Sequence, residues 1–355
     1  MPRIVHSPTL ITRTALPQNR RYASREYREG VIRWDVGTMA QDSRRSMIQV
    51  ENSTAAYAPG RLEWPTLALI GLTYGLFGAL TWWHDVLPWW LILPLGGYLV
   101  CLHGSLQHEA VHGHPTGSAR LNEALVFPSL WLWMPYRVYR DTHLAHHQNQ
   151  ILTDPVLDPE SYYLRPEAWA QAGRLRRAVL LARNSLLGRL LIGPLLAVWE
   201  LWAAEASRFL RGERRHAMAW ILHLAGCAAT LAWVLAVCRI PLGDYLLLYA
   251  YPGLALTLLR SFLEHRAHGE VEARSVLVEA GPVMSLLFLN NNLHALHHAE
   301  PGVAWYRLPA RYRATREALL AGNGGYRYPG YFDIAARYLI RPKEPVAHPL
   351  AGAGV

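Results

Sequence analysis

Long apolar runs alternate with polar, arginine-bearing stretches along the chain, in a pattern that suits a bilayer better than a soluble core. Residues 66–83 and 87–106 form a first pair of apolar runs, parted only by His84-Asp85-Val86. A second pair, 217–238 and 242–262, is parted by Arg239-Ile240-Pro241. Each run has about 20 residues, the length at which a helix spans the hydrocarbon core. The turns are too short for anything but antiparallel hairpins, so the pattern predicts four transmembrane helices in two hairpins. Trp82, Trp83, Trp89 and Trp90 flank the first turn as an aromatic belt would. Gly71, Gly75 and Gly78 are expected to let neighbouring helices approach closely.

Two further apolar stretches, 124–138 and 186–203, are short or broken by proline. They read as helices lying in the membrane surface rather than as a third hairpin. Residues 1–60 are polar, rich in arginine and without an apolar signal segment. With Met39 and Met47 as alternative starts, the first 45 or so residues read as a mobile or spurious extension. Residues 61–320 read as the membrane domain and 321–355 as a cytoplasmic tail.

Composition agrees with a membrane location. Hydrophobic residues make up 52% and charged ones 17%, where soluble domains carry about 25% charge. The net charge of +9 is almost wholly arginine, Lys343 being the one lysine. Arginines are sparse in the two short turns and dense in the N-terminal segment, the 165–215 region and the C-terminal tail. That asymmetry puts both termini and the middle loop in the cytoplasm. A face turned to anionic lipid accounts for the charge, and no nucleic-acid partner is expected. Cys101, Cys227 and Cys238 have no paired spacing, so neither a disulfide framework nor an iron–sulfur cluster is implied.

Of seventeen histidines, most fall in four short windows, and the topology puts all four windows at the cytoplasmic ends of the spans. His108 and His112 are four residues apart. His143, His146 and His147 repeat at i, i+3 and i+4, as do His294, His297 and His298. Such spacings put imidazoles on one side of a helix. Neutral imidazole binds iron, zinc and copper, and eight or nine such groups exceed the needs of one ion, so two metals are expected. His6, His84, His216, His223 and His348 are isolated and read as ordinary core or surface residues.

The ordered set His108-Glu-Ala-Val-His112, His143-Leu-Ala-His146-His147 and His294-Ala-Leu-His297-His298 resembles the three histidine boxes of the membrane fatty acid desaturase superfamily. That superfamily includes hydroxylases and carotenoid ketolases, and the likeness runs over about residues 65–320. It implies an all-α membrane protein with four spans under a cytoplasmic helical cap that holds two iron ions, with O2 as co-substrate. The ligands it implies are those eight histidines, with His265 as a ninth at the end of the last span and His268 as its substitute. His103 is a weaker candidate, and His114 is expected at the surface or behind the ligands. Glu109, Asp141, Asp154, Asp158, Glu264, Asn290 and Asn291 are candidates to orient ligands, and Asn290–Asn292 alternatively to cap the third-box helix. Residues 301–309, with Trp305, Tyr306 and Arg307, resemble the segment that follows the third box, in a packing or substrate role.

The expected reaction is desaturation of an acyl chain or other largely aliphatic substrate in a bacterial inner membrane, with hydroxylation as the alternative. No heme, iron–sulfur or dinucleotide motif is present, so a separate electron donor such as a ferredoxin is expected. A different class is also open: His108-Glu109-x-x-His112 matches a zinc metalloprotease motif, with Glu109 as general base. That reading leaves the other two histidine patterns unexplained.

Overall fold

A computed structural model describes residues 62–351, which are mostly helical. The expected polar extension, its alternative starts and His6 lie outside the described residues. Among the described residues four helices are long and apolar enough to cross a membrane. The first two are α1 (Trp64–Trp82) and α2 (Trp89–Val111), joined by a single 3-10 turn at His84–Val86. Pro65 occupies the first turn of α1, where its missing N–H costs nothing. The four tryptophans at this turn are all exposed, as an interfacial belt requires. α2 continues five residues past the expected end at 106, so His108 sits on the helix itself and His112 ends it.

The segment 124–138 does not form the expected surface helix. A short α3 (Ala119–Leu125) gives way to an irregular stretch, and α4 (Tyr136–His146) begins only after Pro135. Pro128 and Pro135 supply no amide donors for a continuous helix. Leu130 and Trp131 are instead buried, with Trp131 lying over Gly104 of α2. After α5 (Pro166–Ala170) and α6 (Arg174–Arg183), the second expected surface helix is split into α7 (Leu186–Leu191) and α8 (Gly193–Leu210) beside Pro194. Its outer residues Leu195, Trp199 and Trp202 are exposed, as lipid-facing residues would be.

The second hairpin is α9 (Ala217–Val237) and α10 (Leu242–Glu264). Gly71, Gly75 and Gly78 do not bring helices together, since a Cβ added at any of them would meet no atom within 4 Å. Close approach occurs between α2 and α10. A Cβ on Gly96 would lie 2.6 Å from the Leu248 carbonyl oxygen, one on Gly97 2.8 Å from Pro252 Cβ, and one on Gly253 2.5 Å from Val100 Cγ1. The two spans that end in candidate ligands are thereby held together.

Beyond α10 lie β1 (Leu277–Val278), α11 (Pro282–Leu287), α12 (His294–Ala299), α13 (Leu308–Gly322), β2 (Arg327–Tyr328) and α14 (Tyr331–Tyr338). The two strands form a minimal parallel pair, Leu277 opposite Arg327. Residues 339–348 then return across the 164–187 region. Leu187 N–H donates to Leu339 O, Lys343 N–H to Asn184 O, and His348 N–H to Leu164 O.

Candidate metal centre

Four elements deliver the histidines. The end of α2 carries His108 and His112, α4 carries His143 and His146 with His147 as its C-cap, and α12 carries His294, His297 and His298. His265 follows α10 where the backbone turns extended, at φ −131° and ψ 154°. These nine residues form two groups: His108, His112, His143, His147 and His297 in one, and His146, His265, His294 and His298 in the other. Within each group the candidate ligand atoms lie within 4.8 Å of one another.

The expected single-sided boxes are in fact divided. On a helix, residues i and i+4 differ by about 40° in direction, whereas i+3 falls about 60° to the other side. α4 accordingly gives His143 and His147 to the first group and His146 to the second. α12 does the reverse, giving His294 and His298 to the second group and His297 to the first.

The far side of several rings is tied down. His146 Nδ1 donates to Asp158 Oδ1 at 2.8 Å, and His143 Nδ1 to Glu160 Oε1 at 3.0 Å. His294 Nδ1 meets Asn291 Oδ1 at 3.0 Å and His298 Nδ1 meets Asn149 Oδ1 at 2.9 Å. His265 Nδ1 lies 3.2 Å from the Ser275 hydroxyl. Ionised carboxylates only accept, which fixes the proton on Nδ1 and leaves Nε2 with its lone pair turned inward.

Inside the cluster, Nε2 atoms face each other in contacts of 2.9–3.1 Å, among them His294–His298 and His265–His294. Two Nδ1–H imidazoles so arranged set lone pair against lone pair, which is repulsive unless a cation lies between them. The residues therefore fit the metal that the sequence pattern implies: all-nitrogen, convergent donors, five of them with anchored second nitrogens.

Electrostatics agree. Burial and neighbouring imidazoles hold His112, His147, His265, His294, His297 and His298 well below the usual histidine range, so they stay neutral. His146 differs: burial opposes its charge, but Glu160, Asp158 and Glu264 prevail and raise it to about 9. For Glu160, burial disfavours ionisation, yet His146 and His143 hold it well below the usual carboxylate range.

The remaining sequence candidates are dispersed. His103 bonds Tyr74 OH at 2.9 Å and Val126 O at 3.1 Å, outside both groups. His268 is exposed and accepts from its neighbour Glu270 N–H. His114 is buried against Glu63 rather than at the surface. Asp141 pairs with Arg140, and Asp154 accepts from Val156 and Leu157 N–H. Glu264 pairs with Arg260 and lies 3.6 Å from His294 Nδ1. None of the three asparagines caps α12 through its side chain: Asn290 reaches Trp305 O, Asn291 serves His294, and Asn292 reaches Val278 O. Glu109 accepts from Trp305 N–H, and Trp305 Nε1 donates to Thr66, which gives the 301–309 segment a packing role. His84, His216, His223 and His348 belong to neither group.

Sequence reasoning missed Glu160, Asn149, Ser275 and Lys343, whose ammonium donates to the His265 carbonyl oxygen at 2.7 Å. Only proximity to the second box hints at Asn149 and Glu160. Nothing local marks Ser275 or Lys343.

A cavity of about 520 Å³ opens beside the centre between α2, α4, α8 and α10, and Glu160 and Glu264 line it. A smaller recess of about 30 Å³ shares those two residues and reaches His146 and His265.

The sequence profile described as fatty acid desaturase matches residues 81–330. The chain belongs to the fatty acid desaturase family. The match runs from the end of α1 through β2 and includes all nine histidines. Membership points to an oxidoreductase, and the four apolar helices fit an integral membrane desaturase. No curated protein matches the chain.

Proposed function

We propose that this desaturase-family protein holds two iron ions, one in each histidine group, and uses O2 to desaturate an acyl chain or other largely aliphatic substrate. The observation that carries the reading is the pair of adjacent all-histidine groups with inward nitrogens and anchored outer nitrogens. Bound iron would supply the O2 activation that an unactivated C–H bond requires. The chain's own contribution is positional. Asp158, Glu160, Asn149, Asn291 and Ser275 hold the rings, the α2–α10 contact fixes the span ends, and the cavity brings substrate to the recess beside His146 and His265.

The arginine distribution supports a centre on the cytoplasmic side of a bacterial inner membrane, where a separate acidic electron donor such as a ferredoxin would be attracted. Hydroxylation or ketolation would use the same residues, and differs in substrate placement. The metalloprotease reading loses support because His108 and His112 sit in a five-histidine group and that reading leaves the adjacent four-histidine group without a role.

Expression in a host with a matched null strain, followed by mass spectrometry, tests the reaction. A product lighter by two hydrogens supports desaturation, and one heavier by an oxygen supports hydroxylation. His146→Ala and His297→Ala, one from each group, should each abolish turnover and lower iron while membrane insertion persists. Full turnover in either variant contradicts the assignment.

A further inference from the structure

α11 lies beside a span rather than beyond its end. Tyr98 OH donates to Val283 O at 2.9 Å, and Ser105 Oγ donates to Leu287 O at 2.7 Å. Both donors sit within the α2 span, and Tyr98 comes about 20 Å before its last residue, Val111, at 1.5 Å per residue. No residue from Ala280 to Leu289 is charged. The exposed positions here, Gly281, Pro282, Val283 and Leu286, are all apolar. The hydroxyl of Ser285 donates to Ala280 O, so this flank presents apolar surface at the depth of a span.

α14 continues the flank. On its inner side Tyr331 packs on Phe288, which follows α11, and Tyr338 on Phe262 near the end of α10, with ring centroids 5.4 and 6.2 Å apart. Ile334 is fully buried in the same cluster. The outer side shows Phe332, Ala336, Leu339 and Ile340, spaced as one face of a helix whose backbone runs on through Leu339. Phe332 is 95% exposed and Ile340 75%. Asp333 and Arg337 pair at 2.8 Å and neutralise each other. Leu187 N–H donates to Leu339 O, and exposed Leu187, Leu191, Leu195 and Trp199 extend the apolar band along α7 and α8. A contiguous apolar band of this kind marks a binding or membrane surface.

We propose that α14, with α11 beside it, is seated in the bilayer leaflet on the histidine side. Phe332, Leu339 and Ile340 enter the acyl region, and exposed Arg341 meets the headgroups. The band is continuous with the surface of the spans, which is why lipid and not a protein is its occupant. The C-terminal segment is then a membrane anchor, not a free cytoplasmic tail. The same stretch of chain runs on to Lys343, whose ammonium donates to the His265 carbonyl oxygen, so the seat in lipid also steadies a contact to the candidate metal centre. The inference needs the spans and does not depend on the reaction proposed above.

The test puts the photoreactive residue p-benzoylphenylalanine into the full chain in place of Phe332 or of Ile340, one position at a time, in the membranes of the expression host. The same residue in place of Leu72, exposed on α1, gives the lipid reference, and in place of Glu317, exposed on α13, the aqueous one. After irradiation, mass spectrometry of the purified chain reads what each position has captured. Lipid adducts at Phe332 and Ile340 are expected within about threefold of the Leu72 yield and roughly tenfold above the Glu317 yield. Lipid yields no higher than at Glu317 overturn the proposal. So do adducts dominated by another protein, by a second copy, or by residues 1–61 of the same chain. Two positions on one face are read separately, so a variant that misfolds at one leaves the other to decide.

Discussion

Asp158→Ala isolates the contribution of one orienting carboxylate. Asp158 is buried and accepts three hydrogen bonds, from His146 Nδ1 at 2.8 Å, Thr153 N–H at 2.9 Å and Glu160 N–H at 2.9 Å. Hydrogen bonds to a charged group contribute roughly 1.5–3 kcal/mol each. The two backbone contacts hold the 153–160 turn and act on local stability. Only the third bears on metal binding, because it fixes the ring that presents Nε2 to the four-histidine group. Its loss should weaken metal at that group by roughly 10–100-fold, or about 1.4–2.8 kcal/mol. The assay is titration of iron-loaded protein with a chelator, following release of the two irons separately. One release step should shift while the step from the five-histidine group stays in place. Asp158→Asn keeps a carbonyl acceptor for His146 and Glu160 but sets its NH2 group against the Thr153 N–H, so a smaller shift is expected. Unchanged release in Asp158→Ala, or equal loss of both irons, would refute the reasoning.

Three further outcomes follow from the same contacts. Lys343→Met should loosen His265 and lower iron at the four-histidine group, with partial rescue by Lys343→Arg; unaltered iron content would show that the contact to the His265 carbonyl oxygen is incidental. Because His146 titrates near 9 in the metal-free centre, metal must displace its proton, so affinity at that group should fall about tenfold per pH unit on going from 9 to 7; calorimetric titration in buffers of different ionisation enthalpy should show about one proton released at pH 7. Gly253→Ala should lower the midpoint of thermal unfolding in detergent, an overpacking cost of about 1–3 kcal/mol against Val100, while Gly75→Ala, with open space around it, should be neutral or slightly stabilising.

The spans were legible because length and apolarity suffice to mark a membrane helix, and each boundary agrees to within a few residues except the end of α2. The nine clustered histidines were legible because spacing within a helix fixes relative direction. Their division between two groups was not foreseen, since it depends on how α4 and α12 are rotated toward each other. Glycine spacing misled for a related reason: α1 packs on α2 through other positions and its three glycines face open space, whereas α2 and α10 meet at Gly96, Gly97 and Gly253. The anchors Ser275 and Lys343 come from chain segments 10 and 78 residues from His265. Contacts made by tertiary folding leave no local pattern, and the loop over 126–135 follows where Trp131 can be buried, not periodicity.

The central claim is that the two histidine groups each hold an iron ion. Elemental analysis of protein purified from iron-replete cells tests it most directly, combined with Mössbauer spectroscopy of the isotopically labelled metal. Two irons per chain, falling toward one in Asp158→Ala after mild chelation, are predicted. One zinc per chain with no iron, or a metal content unmoved by His146→Ala and His297→Ala, would contradict the account.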